Sequence, residues 1–441
     1  MIMVIGFIAA AAGVMVSLMV SSCPGMHVYN ILGLVSLLAF NGSFPETLSV
    51  AVMPFIIGLI AGYVILSSVG LILLSVPDES FLLTVMPSQR FVIYGRGEES
   101  VFWMGLGSAI GAIIIFVLFG CFGRIVFSPM KAVLTPHFHW MLWAVIIYMF
   151  ISEWSGDAEI EQGGVISLLK SFRKTGVGIL VFLLSGWFGF VMFYKSPLSV
   201  DTAFQNMAPV FSGLFAFPSL LLNIISKVQI PQQRKVLFIK KDYVSLIKGS
   251  IAGLGGGVFS AFMPVVTGGI GGLLAGSVFD VREKNAFIVS QGVVRMIYYA
   301  GGFMFFFVPG INMSRGGAAW IYKLWGIPKQ PTDLWMAVSY LALASSFAVI
   351  LLFPLSRSMM RTIQTSGIKK FSMLGIVIIC ILIVILTGIK GLAVTFAATC
   401  VGLVPLICGG RRINLLGFLL LPMACKMSGI ADNIVLFLKL M

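Results

Sequence analysis

Charge is scarce in this chain. Of its 441 residues, 10% are charged and 59% hydrophobic, whereas a soluble domain is about a quarter charged. That shortage excludes a water-soluble globule and leaves an integral membrane protein, in keeping with a mean hydropathy of +1.06. Acid is scarcer than base: 15 Asp and Glu face 29 Lys and Arg, for a formal net charge of +14. The basic residues fall between apolar runs, where they mark loops that face anionic lipid, so no nucleic-acid partner is expected. The six cysteines (Cys23, Cys121, Cys380, Cys400, Cys408 and Cys425) show neither a CxxC pair nor metal-ligand spacing. His137-x-His139 has no third ligand nearby, so no metal centre is expected. Walker A, GxSxG, HExxH and dinucleotide-binding signatures are all missing. An enzyme is therefore not expected, nor any cofactor beyond Na+ as a candidate coupling ion.

Long apolar runs are plentiful. They lie near residues 2–21, 50–74, 101–124, 138–151, 176–194, 207–226, 286–308, 334–355, 372–388, 390–408 and 412–436. Each approaches the roughly 20 residues that cross a bilayer core. The first lacks a basic flank and a clear small-residue cleavage site, so a span is expected there and not a signal. Two runs are interrupted. Cys23-Pro24-Gly25-Met26-His27 breaks the first, and Met263-Pro264-Val265-Val266-Thr267-Gly268-Gly269 breaks another. Proline removes a backbone donor and glycine loosens the chain. Backbone freed at that depth must be buried in protein or line a cavity. A break in corresponding places of two halves points to a transporter's binding site.

The fold expected is all-α and polytopic, with roughly 10–12 membrane helices in two related halves, inverted repeats being the expected arrangement. The halves are residues 1–226 and 249–441, joined by a basic linker over 227–248. A faint internal likeness links Gly97–Gly107 with Arg282–Gly292. Between Pro77 and Arg90 the chain is too short to span, and a re-entrant loop fits it. Glu153, Asp157, Glu159 and Glu161 read as an acidic loop.

Few polar residues stand inside the apolar runs, and each is a candidate. Asp78 and Glu79 are adjacent acids beside a proline, suited to a coupling cation, Na+ or H+. Arg295 lies about 15 Å into its span at the helical rise, where a cation needs a cavity or a counter-ion. It would hold an anionic substrate or pair with Asp78 or Glu79. Helix ends at Pro24-Gly25 and at Thr267-Gly268-Gly269 would offer amide N–H groups to an anion. His27, Asn30, Ser80 and Gln291 would add donors.

Cys23 to His27, then Val76-Pro77-Asp78-Glu79-Ser80 through Met86-Pro87-Ser88-Gln89-Arg90 to Gly95-Arg96-Gly97-Glu98, resembles the TctA-type permeases, and most closely their archaeal single-chain branch. Met313-Ser314-Arg315-Gly316-Gly317-Ala318 is similar to that family's Arg-Ser-Gly-Ala turn. Two departures stand out. Pro264-Val265 replaces the second Pro-Gly, and Ser88-Gln89-Arg90 replaces a Gly-His-Arg. The resemblance implies a multi-pass plasma-membrane transporter. In tripartite members a small membrane subunit and an external binding protein assist, and archaeal-type relatives are expected to lack them.

The function expected is therefore cation-coupled secondary transport of a small organic anion, a di- or tricarboxylate. Translocation of a phosphate-headed lipid carrier is the alternative, and an intramembrane enzyme a third. Partners would be the anion and membrane lipids, with a homodimer allowed.

Overall fold

With few polar side chains to satisfy it, the backbone must close its hydrogen bonds on itself, and every regular element among the described residues is helical. The computed structural model describes residues 2–40, 49–154, 165–198, 203–226, 230–236, 242–281, 283–328 and 330–440. The first five helices are α1 (Ile2–Ser22), α2 (Val28–Phe40), α3 (Ser49–Leu73), α4 (Val85–Ile93) and α5 (Gly97–Leu134). Next come α6 (Phe138–Trp154), α7 (Val165–Tyr194), α8 (Ala203–Phe211) and α9 (Phe217–Ile225). Beyond the linker lie α10 (Tyr243–Phe262), α11 (Gly268–Val278), α12 (Lys284–Met296), α13 (Gly302–Met304) and α14 (Gly316–Tyr322). The chain closes with α15 (Pro331–Ser366), α16 (Ile368–Cys408), α17 (Gly417–Met427) and α18 (Ala431–Phe437).

Among the described residues, eight helical stretches are long and apolar enough to cross a membrane, or nine if the bent α17–α18 region is one span. Two of them, Gly97–Trp154 with 58 residues and Ile368–Cys408 with 41, have length for two crossings each. The second changes direction at Gly388, whose φ of +69° suits only glycine. Counted as pairs, these stretches bring the number of spans into the expected range.

Both interrupted runs are broken helices, and the two breaks share one backbone pattern. α1 ends at Ser22 and α2 resumes at Val28, while α10 ends at Phe262 and α11 resumes at Gly268. Each break has its proline followed by a left-handed residue: Gly25 at φ +78° and Val265 at φ +54°. The second break thus runs over residues 263–267, with its left-handed turn on Val265, and α11 starts at the expected Thr267-Gly268-Gly269, with Thr267 as N-cap. The small size of Gly268 and Gly269 admits close neighbours there.

Packing divides the described residues into two compact units, Met1–Lys131 with Ser219–Leu382 and Ala132–Pro218 with Ile383–Met441. In the first, α1 lies on α3 through small residues. A Cβ on Gly58 would collide with the Ala10 carbonyl, and Ser17 Oγ donates to Leu59 O at 2.6 Å. This is how membrane helices approach without a hydrophobic drive between them. In the second unit, α7 packs on α6 and α17. There Glu153 closes α6 and accepts Asn414 Nδ2 at 2.7 Å. Glu153 therefore belongs to a helix and not to an acidic loop; Asp157, Glu159 and Glu161 lie outside the described residues.

The described part of the linker is fastened to the first unit. Gln233 Oε1 accepts the Gly97 N–H at 2.8 Å and its Nε2 donates to Val92 O at 2.9 Å. The Arg234 N–H donates to Gly95 O at 2.8 Å.

Candidate substrate and coupling site

The site lies within the first unit, where the loop after α3 meets the two breaks. α3 closes with Leu74 N–H on Gly70 O, Ser75 turns at φ +55°, and Pro77 offers no donor to continue the helix. Asp78 then folds back on its own chain: its Oδ1 accepts the Ser80 N–H at 3.0 Å and the Ser80 hydroxyl at 2.6 Å. This local turn is what Asp-x-Ser favours. It presents Asp78 and Glu79, both buried, to α3 and α12.

Asp78 is saturated. Its Oδ2 accepts Tyr63 Oη at 2.9 Å and Arg295 Nη2 at 3.0 Å. Arg295 has no exposed surface. It also donates through Nε to Ser80 Oγ at 2.9 Å, through Nη1 to Val64 O at 3.1 Å and through Nη2 to Ser67 Oγ at 3.1 Å. Those contacts use most of the guanidinium's five donors. Of the two expected roles, ion pairing with Asp78 is what the geometry provides.

Glu79 is held differently. Its Oε1 accepts Tyr299 Oη at 2.7 Å and its Oε2 lies 2.9 Å from His27 Nε2. Its carbonyl accepts Thr267 Oγ1 at 3.2 Å. His27 follows the first break and Thr267 the second, so both breaks arrive at one residue. Gly268 and Gly269 complete the contact. A Cβ on Gly269 would come within 2.5 Å of Glu79 O, and one on Gly268 within 3.1 Å of Ser80 Cβ.

The remaining expected residues sit apart from the acid pair or hold its frame. Gly25 forms the first break, and Pro24 packs against Gly375 of α16. Gln291 spends its amide on Gly272 O at 3.3 Å and Ser290 Oγ at 3.4 Å. Asn30 is 1% exposed, and neither end of its amide has a partner among the described residues. Three residues that the sequence did not single out belong to the cluster: Tyr63, Ser67 and Tyr299. Tyr299 lies in a π-helical turn, Ile297–Gly301, the widened kind of turn that gathers at functional sites.

His27, Asp78 and Glu79 bring ligand atoms within 4.8 Å of one another, a nitrogen-and-oxygen set that could hold a cation. Because each Asp78 oxygen already takes two donors, Glu79 and His27 are the members able to yield an atom without breaking the Arg295 pair.

Two helices broken in like manner beside buried acids are an arrangement that transporters use. The model of the tripartite tricarboxylate transporter TctA family matches residues 7–417. The chain belongs to the TctA family. TctA proteins are membrane permeases that work with partner subunits, and this chain is accordingly a multi-pass membrane transport protein. It is also similar to an uncharacterized protein of Methanocaldococcus jannaschii, 24% identical over 406 residues, covering 90% of this chain and 93% of the relative. No solved structure matches the chain.

Proposed function

We propose that the chain is the membrane permease of a secondary transporter for a small organic anion, a di- or tricarboxylate, driven by Na+ or H+. The observation that supports it is the convergence of both breaks on Glu79, through His27 and Thr267. With a neutral imidazole, Asp78, Glu79 and Arg295 sum to one negative charge, which repels an anion in a site of low dielectric. A cation taken at Glu79 cancels that charge. Anion binding then follows cation binding, which is symport in its simplest form.

The anion is held by neutral donors in this reading. Asn30 contributes an uncommitted amide, and Thr267, Gly268 and Gly269 contribute the electropositive start of α11. Ser80 and Arg295 fix Asp78 in place, and Asp78 shapes the cation site without releasing its own partners. Gln291 acts from outside by tying α12 to α11.

We further propose that residues 1–226 and 249–441 are related halves in the plasma membrane, inverted with respect to each other. The shared break supports this, as does the order of elements that follows it. That order sets α12 beside α3, so it does not draw on the likeness between Gly97–Gly107 and Arg282–Gly292.

Uptake into proteoliposomes tests the function. Labelled citrate and smaller dicarboxylates are expected to accumulate under an inward Na+ or proton gradient. If no carboxylate moves under either gradient, the reading fails, and movement of a lipid phosphate headgroup between leaflets would replace it.

A further inference from the structure

Two neighbouring carboxylates in this site each receive one tyrosine, and the two tyrosines are not equivalent in what they leave behind. Tyr63 reaches Asp78, which Arg295 and Ser80 grip independently. Tyr299 reaches Glu79, whose other oxygen faces His27. Both rings belong to one aromatic group: Tyr63 and Tyr299 are 5.9 Å apart between centroids, and His27 lies 5.3 Å from Tyr63 and 6.1 Å from Tyr299. Each tyrosine stands about four turns into the helical run that follows its broken pair.

Proton counting orders the contacts around Tyr299. Its hydroxyl has one hydrogen, directed at Glu79 Oε1 over 2.7 Å. The oxygen's lone pairs therefore face His27 Nε2 at 3.1 Å and receive its N–H, while Glu79 Oε2 lies 2.9 Å from the same nitrogen without a hydrogen bond of its own among the described residues. If a cation takes Glu79 Oε2, that N–H still has Tyr299 Oη to receive it. The same hydroxyl keeps Glu79 Oε1 fixed. Without it the imidazole N–H loses the acceptor to which it is hydrogen-bonded, and a buried donor left unmade is costly.

We propose that Tyr299 is a positioning residue of the coupling step, holding Glu79 and receiving His27 while the driving cation replaces the imidazole, and that Tyr63 has no such part because Asp78 is already locked. This rests on the cation-coupled permease reading. The π-turn that carries Tyr299 fits the role, since such turns are frequent at functional sites.

The test uses the full-length chain in proteoliposomes, with labelled citrate uptake followed against Na+ at fixed pH and, in a second arm, against an inward proton gradient without Na+. Tyr299→Phe is expected to raise the half-saturating cation level about tenfold or more while the citrate KM at saturating cation stays within about twofold. Tyr63→Phe should raise the half-saturating cation level severalfold less than Tyr299→Phe does, and in a His27→Ala background Tyr299→Phe should add little. If Tyr299→Phe leaves the cation dependence unchanged, or if Tyr63→Phe shifts it equally, the assignment is overturned while the permease reading stands. Should the Phe variant fail to fold, Tyr299→Met is read by the same two criteria. Absence of cation-driven uptake in the unaltered protein would remove the permease reading and this assignment together.

Discussion

Arg295 and Asp78 meet at 3.0 Å with almost no access to water. Removing one partner from such a pair costs about 3–5 kcal/mol, mainly because the other charge stays buried. Arg295→Ala and Asp78→Asn are each expected to lose about that much stability, and the double variant Asp78→Asn/Arg295→Met to recover most of it. Unfolding midpoints in detergent check this, and a double variant as weak as the sum of the singles would contradict it. Glu79→Gln should behave otherwise. An amide keeps the shape and a neutral contact to Tyr299, so the protein should fold, but uptake should lose its dependence on the driving cation. Retained dependence in the transport assay would remove Glu79 from the coupling step.

Much of this site was legible residue by residue. Asp78, Glu79, Ser80, His27, Thr267 and Arg295 are polar groups in apolar runs, and such groups must find partners. Tyr63, Ser67 and Tyr299 gave no comparable signal, because tyrosine and serine are unremarkable in a membrane helix. Tyr299 also meets Glu79 across 220 positions of sequence, a pairing that no local pattern announces.

At the scale of the element, the two breaks do the same work with different residues. Gly25 takes its φ of +78° without a side-chain penalty, whereas Val265 at +54° is a β-branched residue in a region that disfavours it. Gly25→Ala is expected to lower stability by about 1–2 kcal/mol. Val265→Gly should be nearly neutral, since relief of strain offsets the added freedom of the unfolded chain. Thermal unfolding of the two variants side by side checks the contrast; equal losses would mean the left-handed turn is not what each break requires. Proline located both breaks in the sequence. The glycines marked where the second helix resumes, at Gly268, but not the left-handed turn, which falls on Val265 because tertiary packing holds it where local preference alone would not.

For the whole molecule, class and span number followed from composition and run length, while the division by packing did not. Its boundaries fall inside α5, α9 and α16, where nothing in composition changes. Side of the membrane can be tested directly. Arg234 N–H bonds Gly95 O, and Lys131 Nζ bonds Ile311 O at the far end of α5, about 50 Å along the helix and beyond a ~30 Å core. In a protein freed of its native cysteines, Arg96→Cys and Arg234→Cys should react with an impermeant reagent from one side, and Lys131→Cys from the other. Labelling of all three from the same side would show that α5 does not cross.

The grip of Gln233 and Arg234 on the turn before α5 decides where this polypeptide tolerates being split. Severed after Val236, the leading fragment retains every clasp between residues 231–236 and Gly95, Gly97 and Glu98. Severed just before Pro231, it surrenders them to the trailing fragment, which must then find its way back. Co-expressed pieces should therefore reassemble readily from the first cut and poorly from the second.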